Sequence, residues 1–249
     1  MTEAPDWVYG VHAVTGVLTH DPSRVRVVYL QRSRHDSRLD GLRELARSAG
    51  VRLDLVDRRR LDQLASGPHQ GVVAQCHGTA LLDESEFHTA FADLSQPRLL
   101  LLLDGVTDPR NLGACLRTAS AAGVQAVLLP KRRSAPVNSV ALKTAAGGAE
   151  GLMLVQVTNV ARCLGWLRDQ GVWVVGATLE AQAGWDEADY HGDLALVLGS
   201  EDKGLRVLTA KCCDQLVGIP MSGTVASLNV SVATGVLLFE AVRQRQVAS

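Results

Sequence analysis

Aromatic residues are scarce, at 4% of the 249 residues. A surface that relies mainly on stacking against nucleobases is therefore not expected. Lysine is scarcer: 4 of the 25 basic residues are Lys and 21 are Arg. That bias reads mainly as genome composition, although arginine is also the better phosphate ligand. No run approaches about 18 apolar residues without a charge, so no transmembrane helix is expected. The start, MTEAPDWVYG, has no basic stretch followed by an apolar one, so no secretory leader is expected. The five cysteines, Cys76, Cys115, Cys163, Cys212 and Cys213, are odd in number and form no CxxC. Disulfide frameworks and zinc ribbons are not expected, and a reducing cytoplasm is the default. Neither GxGxxG nor a Walker motif occurs. No cluster of ligands has metal spacing, so no metal site is expected. Charge of one sign is also missing: 25 − 26 gives a net of −1.

What is present is globular. Apolar residues make up 47% and charged residues 20%. Residues 1–77 alternate helical and strand patterns in a small α/β unit. Its helices are expected at Val8–His20, Leu39–Ala49 and Arg59–Ala65, and its strands at Val25–Leu30, Val51–Val56 and Gly71–Cys76. Residues 78–97 are acidic, end in Pro97, and read as a linker with a helical turn or two. From residue 98 to 249 short apolar runs recur, beginning with Leu99–Leu103. The others are Val124–Leu129, Leu152–Val157, Val172–Ala177, Leu194–Leu198 and Gln215–Pro220. Strands apolar on both faces and separated by helices imply a parallel sheet covered on both sides. A helix from about Ser227 to Gln244 closes the chain. Residues 24–60 carry 11 Arg against 5 acidic residues, a local +6, so the rest is −7. That face suits phosphate, or is simply a solvated surface with ion pairs.

Three stretches carry polar chemistry at strand ends. DGVTDPRNLGACLRT (104–118) follows a buried strand, at the sheet edge where open α/β folds bind ligands. Asp108-Pro109 or Asn111 begins its helix. Arg117 lies about 240° round an ideal helix from Asn111, so the two converge only if Asn111 belongs to the loop. Cys115 sits on the apolar stripe and reads as core. In LALVLGSEDKG (194–204) Gly199 allows close approach to backbone, and Glu201 lies in a polar turn or near a helix start. In IPMSGTVASLN (219–229) Ser227 is placed to cap the last helix, with Asn229 in its first turn.

These three stretches resemble the ordered motifs of the SpoU/TrmH family, the ribose 2′-O-methyltransferases of the SPOUT class. The resemblance runs almost unbroken over 98–246. VYGVHAVTGVL and HQGVVAQ resemble the substrate-binding domain of the branch that methylates a guanosine in 23S (large-subunit) rRNA. The resemblance implies a C-terminal α/β knot, a parallel sheet with a deep trefoil, preceded by a small α/β domain similar to ribosomal protein L30e. It implies a homodimer, an rRNA substrate and S-adenosyl-L-methionine as methyl donor, held mostly by backbone groups. Arg117 matches the catalytic arginine, and Asn111, Glu201, Ser227 and Asn229 match the other catalytic positions. Gly199, Ile219 and Leu228 match positions that contact the methyl donor. The same fold also methylates transfer RNA or an rRNA adenosine, or persists as a non-catalytic RNA-binding relative. Ser200 and Ala177 depart from the usual pattern, and neither removes a catalytic side chain.

The implied reaction agrees with the residue inventory. The leaving group is a neutral thioether, so the transfer needs no acid and no metal. Positioning the ribose supplies on the order of 7–11 kcal/mol in ideal cases. Arginine, with a pKa of about 12.5–13.8, is a poor base and a good clamp for phosphate or developing alkoxide.

Overall fold

The computed structural model describes residues 6–32, 36–65, 67–77, 81–200 and 204–247. The chain divides into two compact units. One comprises residues 1–80 and 137–151, the other residues 81–136 and 152–249.

The first unit is built on a four-stranded sheet of β1 (Asp6–Tyr9), β2 (Val25–Gln31), β3 (Leu53–Val56) and β4 (Val72–Cys76). The strand order is β1-β4-β2-β3, with β4 antiparallel to both neighbours and β3 parallel to β2. Helices α1 (Val11–His20) and α2 (Ser37–Ser48) bury Val14, Val17, Leu18, Leu39 and Leu42 against Val28, Leu30, Val72 and Ala74. Helix α3 (Arg58–Leu64) sets Leu61 on Val73. The helix expected from Val8 begins only at Val11. Val8 and Tyr9 instead pair with Ala74 and Val73. Gly10, at φ 96, makes the break, because that conformation suits neither strand nor helix.

The later segment 137–151 belongs to this unit through an ion pair. Arg24 Nη1 lies 2.6 Å from Glu150 Oε2, with the two side chains 9% and 3% exposed. Burial is the main influence on the Glu150 carboxyl and pushes its pKa up; Arg24 pulls the other way. Removing Arg24 leaves a buried carboxylate without its partner. Arg24→Ala is expected to cost about 3–5 kcal/mol in urea unfolding at neutral pH.

The second unit holds β5 (Leu99–Asp104), β6 (Ala126–Pro130), β7 (Met153–Val157), β8 (Trp173–Ala177), β9 (Ala183–Gly184), β10 (Leu194–Gly199) and β11 (Gln215–Gly218). Their order is β7-β6-β5-β10-β8-β11-β9, and every pairing is parallel. Every residue of β5 is buried, as five successive leucines require. On one face Leu100, Leu102, Leu128 and Val155 meet α4 (Glu84–Ala90) and α7 (Val160–Asp169) through Phe87, Leu164 and Leu167. The acidic segment contributes α4, with a capping box between Asp83 and Glu86, and Leu82 bridges to Val155. The remaining helices are α5 (Pro109–Ala121), α6 (Ser139–Ala145, in the first unit), α8 (Val207–Lys211) and α9 (Val230–Val247). No described helix is long and apolar enough to cross a membrane.

Helices α5 and α9 lie side by side and run in the same sense. Asn229 meets Asn111, Thr234 meets Cys115, and Gly235 faces Thr118. At the other end Arg245 donates to the carbonyls of Tyr190, Arg98 and Gly192, at 2.9, 2.9 and 2.7 Å. That clamp ties the chain's last helix to the starting edge of the sheet.

Candidate active site

A parallel sheet delivers all its strand ends to one edge. Here β5, β8, β10 and β11 end at Asp104, Ala177, Gly199 and Gly218. The loops that leave β8, β10 and β11 line a cavity of about 310 Å³. Gly199, Ile219, Leu228 and Ser227 line it. Sequence reasoning had named all four. It had not named Thr178, Leu179 and Glu180, which line it too. They follow a strand whose end lies at the same edge, and that position was the available signal.

Gly199 is there for closeness. A Cβ on it would stand 2.1 Å from the carbonyl carbon of Gly204. Ser200 and Gly204 bond to each other's backbone, N to O at 3.2 and 2.9 Å. Glu201 lies outside the described residues.

Helix α5 starts as one of the two alternatives. Asp108 caps it by accepting from the Arg110 N–H, and Pro109 is its first residue. Asn111 is therefore inside the first turn. Arg117, six residues on, points about 240° away round the helix. Asn229 Nδ2 donates to Asn111 Oδ1 at 3.2 Å, and by helix geometry Arg117 lies on another side of α5 from Asn111. Arg117 is exposed and is not among the residues that line the cavity. Cys115 is fully buried on the stripe.

The last helix begins later than Ser227. Asn229 is the residue before it, and its Oδ1 accepts from the Ser231 N–H at 2.9 Å and the Ser231 hydroxyl at 2.6 Å. Asparagine is among the strongest caps, so it takes the role expected of Ser227. Ser227 is left in the exposed loop at the cavity.

Behind the loops lies a buried anchor that the sequence did not reveal. Asp104 is 1% exposed. Its Oδ2 accepts from the Thr209 hydroxyl at 2.6 Å, and Arg206 approaches Oδ1 at 3.4 Å. This carboxylate fixes the segment that leaves Gly204. Thr209→Val keeps the shape and removes the donor. It is expected to cost about 1–3 kcal/mol in denaturant unfolding, because a buried carboxylate oxygen loses its partner.

The cavity's lining says what it suits. Among the described residues it contains no arginine or lysine, and its one charged side chain is Glu180. The described lining is mostly apolar with one carboxylate, and the cavity's volume lies at the lower end for ligand pockets. No described cysteine lines the cavity, and burial pushes the Cys163 and Cys213 thiols elsewhere in the unit up to about 12. Among the described residues no group of three or more His, Cys, Asp or Glu could hold a metal.

Fold and cavity thus define an α/β protein with a small-molecule cavity at the carboxyl edge of a parallel sheet. A family model for the SpoU rRNA Methylase family matches residues 98–239, and the chain belongs to that family. A second model, for RNA 2′-O ribose methyltransferase substrate binding, matches residues 7–80. The 23S rRNA (guanosine-2′-O-)-methyltransferase RlmB of Pseudomonas aeruginosa is 51% identical over 238 residues, 96% of each chain. Its counterpart in Coxiella burnetii is 48% identical over 239 residues, again 96% of each. The crystal structure of the SpoU methyltransferase AviRb from Streptomyces viridochromogenes, in complex with the cofactor AdoMet, superposes with a TM-score of 0.79. That likeness covers 97% of this chain and 91% of the other at 25% identity.

Proposed function

We propose that the protein methylates the ribose 2′-oxygen of a guanosine in 23S rRNA, with S-adenosylmethionine as donor, in the cytoplasm. The observation that carries this reading is identity of about half the residues, over 96% of each chain, to enzymes of that name. The cavity agrees with it, being built from three strand-end loops and, among the described residues, free of basic side chains. S-adenosylmethionine supplies an electrophilic methyl carbon on a positively charged sulfur.

The chain's own residues then have distinct tasks. Gly199, Ile219 and Leu228 hold the donor, largely through backbone, and Glu180 faces its positive charge. Asn111 and Asn229 hold the starts of α5 and α9 together, and Glu201 and Ser227 order the loops. Arg117 binds the RNA phosphate and steadies the alkoxide as the hydroxyl loses its proton. Because Arg117 lies outside its own protomer's cavity, the site is completed by a second copy. Val232 and Phe239 on α9, each 50% exposed, give a homodimer its apolar contact. Residues 1–77 are the substrate-binding domain, with Arg26, Arg38 and Arg59 exposed for phosphate. The C-terminal segment threads the knot.

The test is methyl transfer to rRNA from a strain lacking the gene, with the modified ribose mapped by primer-extension stops. One guanosine in 23S rRNA is the expected product. Equal labelling of transfer RNA overturns the substrate assignment.

A further inference from the structure

A second cavity, also about 310 Å³, lies in the same unit beyond the ends of β6 and β7. Arg132, Arg133 and Arg206 line it together with Thr158 and Asn159, and among the described residues no acidic side chain does. Arg132 and Arg133 are exposed and have no ion-pair partner among the described residues. Arg206 is steadied from behind by buried Asp104. The start of α7 forms another wall. Asn159 spends its side-chain oxygen on the Arg162 N–H. Val160 and Ala161, which also line the cavity, are the first two helical residues, where backbone N–H groups lack partners within the helix. Three guanidinium groups, two hydrogen-bonding side chains and a helix start therefore converge on one space.

We propose that this cavity seats a phosphodiester of the substrate RNA, beside the nucleotide being methylated. The inference rests on the function proposed above, and its placement gives it content. The segment after β10 divides the two cavities: Gly204 lines the first, and Arg206 and Thr209 line the second. In the sheet β6 stands two strands from β10. At about 4.8 Å per strand that is roughly 10 Å, within reach of a neighbouring nucleotide's backbone. Among the described residues the donor cavity carries no basic side chain and the second carries three. Donor and polyanion are thus sorted to two sides of one wall. Arginine forks suit phosphate oxygens, and such contacts fix register without reading sequence.

The test uses the full-length protein and unmethylated 23S rRNA transcript. RNA affinity is measured by filter binding across a salt series, and S-adenosylmethionine binding by calorimetry. For Arg132→Ala/Arg133→Ala the RNA affinity is expected to fall about tenfold or more at moderate salt. The slope of log affinity against log salt should flatten by about 1.4, two contacts at about 0.7 each for single strands. Donor binding should stay within about twofold of the wild type. The Arg→Lys pair, which keeps both charges, should restore the slope. An unchanged slope in the alanine pair, with wild-type RNA binding intact, overturns the proposal. If the alanine pair loses donor binding, the Arg→Gln pair keeps side-chain bulk and is judged by the same two criteria. Inorganic phosphate should compete no better than chloride at matched ionic strength; stronger competition marks a free-anion site and also overturns the proposal. Wild-type protein that binds neither donor nor rRNA would instead refute the function itself.

Discussion

Arg117→Ala is expected to lower methyl transfer by at least about 10³-fold, roughly 4 kcal/mol of transition-state stabilisation, in a single-turnover assay on rRNA. Donor binding should survive, because Arg117 does not line the donor cavity. Sedimentation should show an unchanged particle. The size of the effect follows from the position. An exposed guanidinium on α5 has little to do for stability, so under the proposed role its loss is expected in chemistry rather than in folding. Arg117→Lys separates the two roles such a group could have. A lysine clamp keeps its charge up to a pKa of about 10.4, so activity should be partial and then fall as pH passes that value. A lysine acting as base would do the reverse, gaining activity as it loses its proton. Rising activity through that range overturns the clamp assignment, and full activity in the alanine variant removes Arg117 from the site altogether.

How much of this was legible in the sequence depended on whether the signal was local. The sheet of the second unit was visible because Leu99–Leu103 and its counterparts are apolar on both faces, which only a covered parallel sheet demands. The edge rule then placed the loops, and Gly199, Ser227, Ile219 and Leu228 line one cavity as a result. The start of α1 was misplaced, since a short stretch before Gly10 fits a helix pattern as well as a strand. Pairing with β4, a tertiary fact, decides it. The Asn111 question turned on which residue caps α5, and the two candidates are three apart. Asp108 with Pro109 behind it won, which put Asn111 and Arg117 on different sides of one helix. Nor could sequence show that residues 137–151 join the first unit, because Arg24 and Glu150 are far apart in the chain. Asp104 looked like a strand end. Only its burial beside Thr209 reveals an anchor.

Two glycine-to-alanine changes in the second unit should have opposite signs, and the contrast tests the donor cavity directly. At Gly199 the new Cβ would sit 2.1 Å from the Gly204 carbonyl carbon and oxygen and 2.3 Å from the Leu205 nitrogen. All three are backbone atoms, so no rotamer relieves the clash. The segment that includes Gly204 must move, and that segment is a wall of the cavity. Gly199→Ala is therefore expected to weaken S-adenosylmethionine binding by more than about 100-fold in calorimetry. It should also destabilise the protein by about 1–3 kcal/mol, the usual range for overpacking. At Gly165, in the middle of α7, a Cβ meets nothing within 4 Å. Gly165→Ala should stabilise by about 0.5–1 kcal/mol, because alanine loses less backbone entropy in a helix. It should leave donor binding unchanged. Donor affinity that survives Gly199→Ala would mean the strand-end loops do not hold the donor, and the site would have to be sought elsewhere in the molecule.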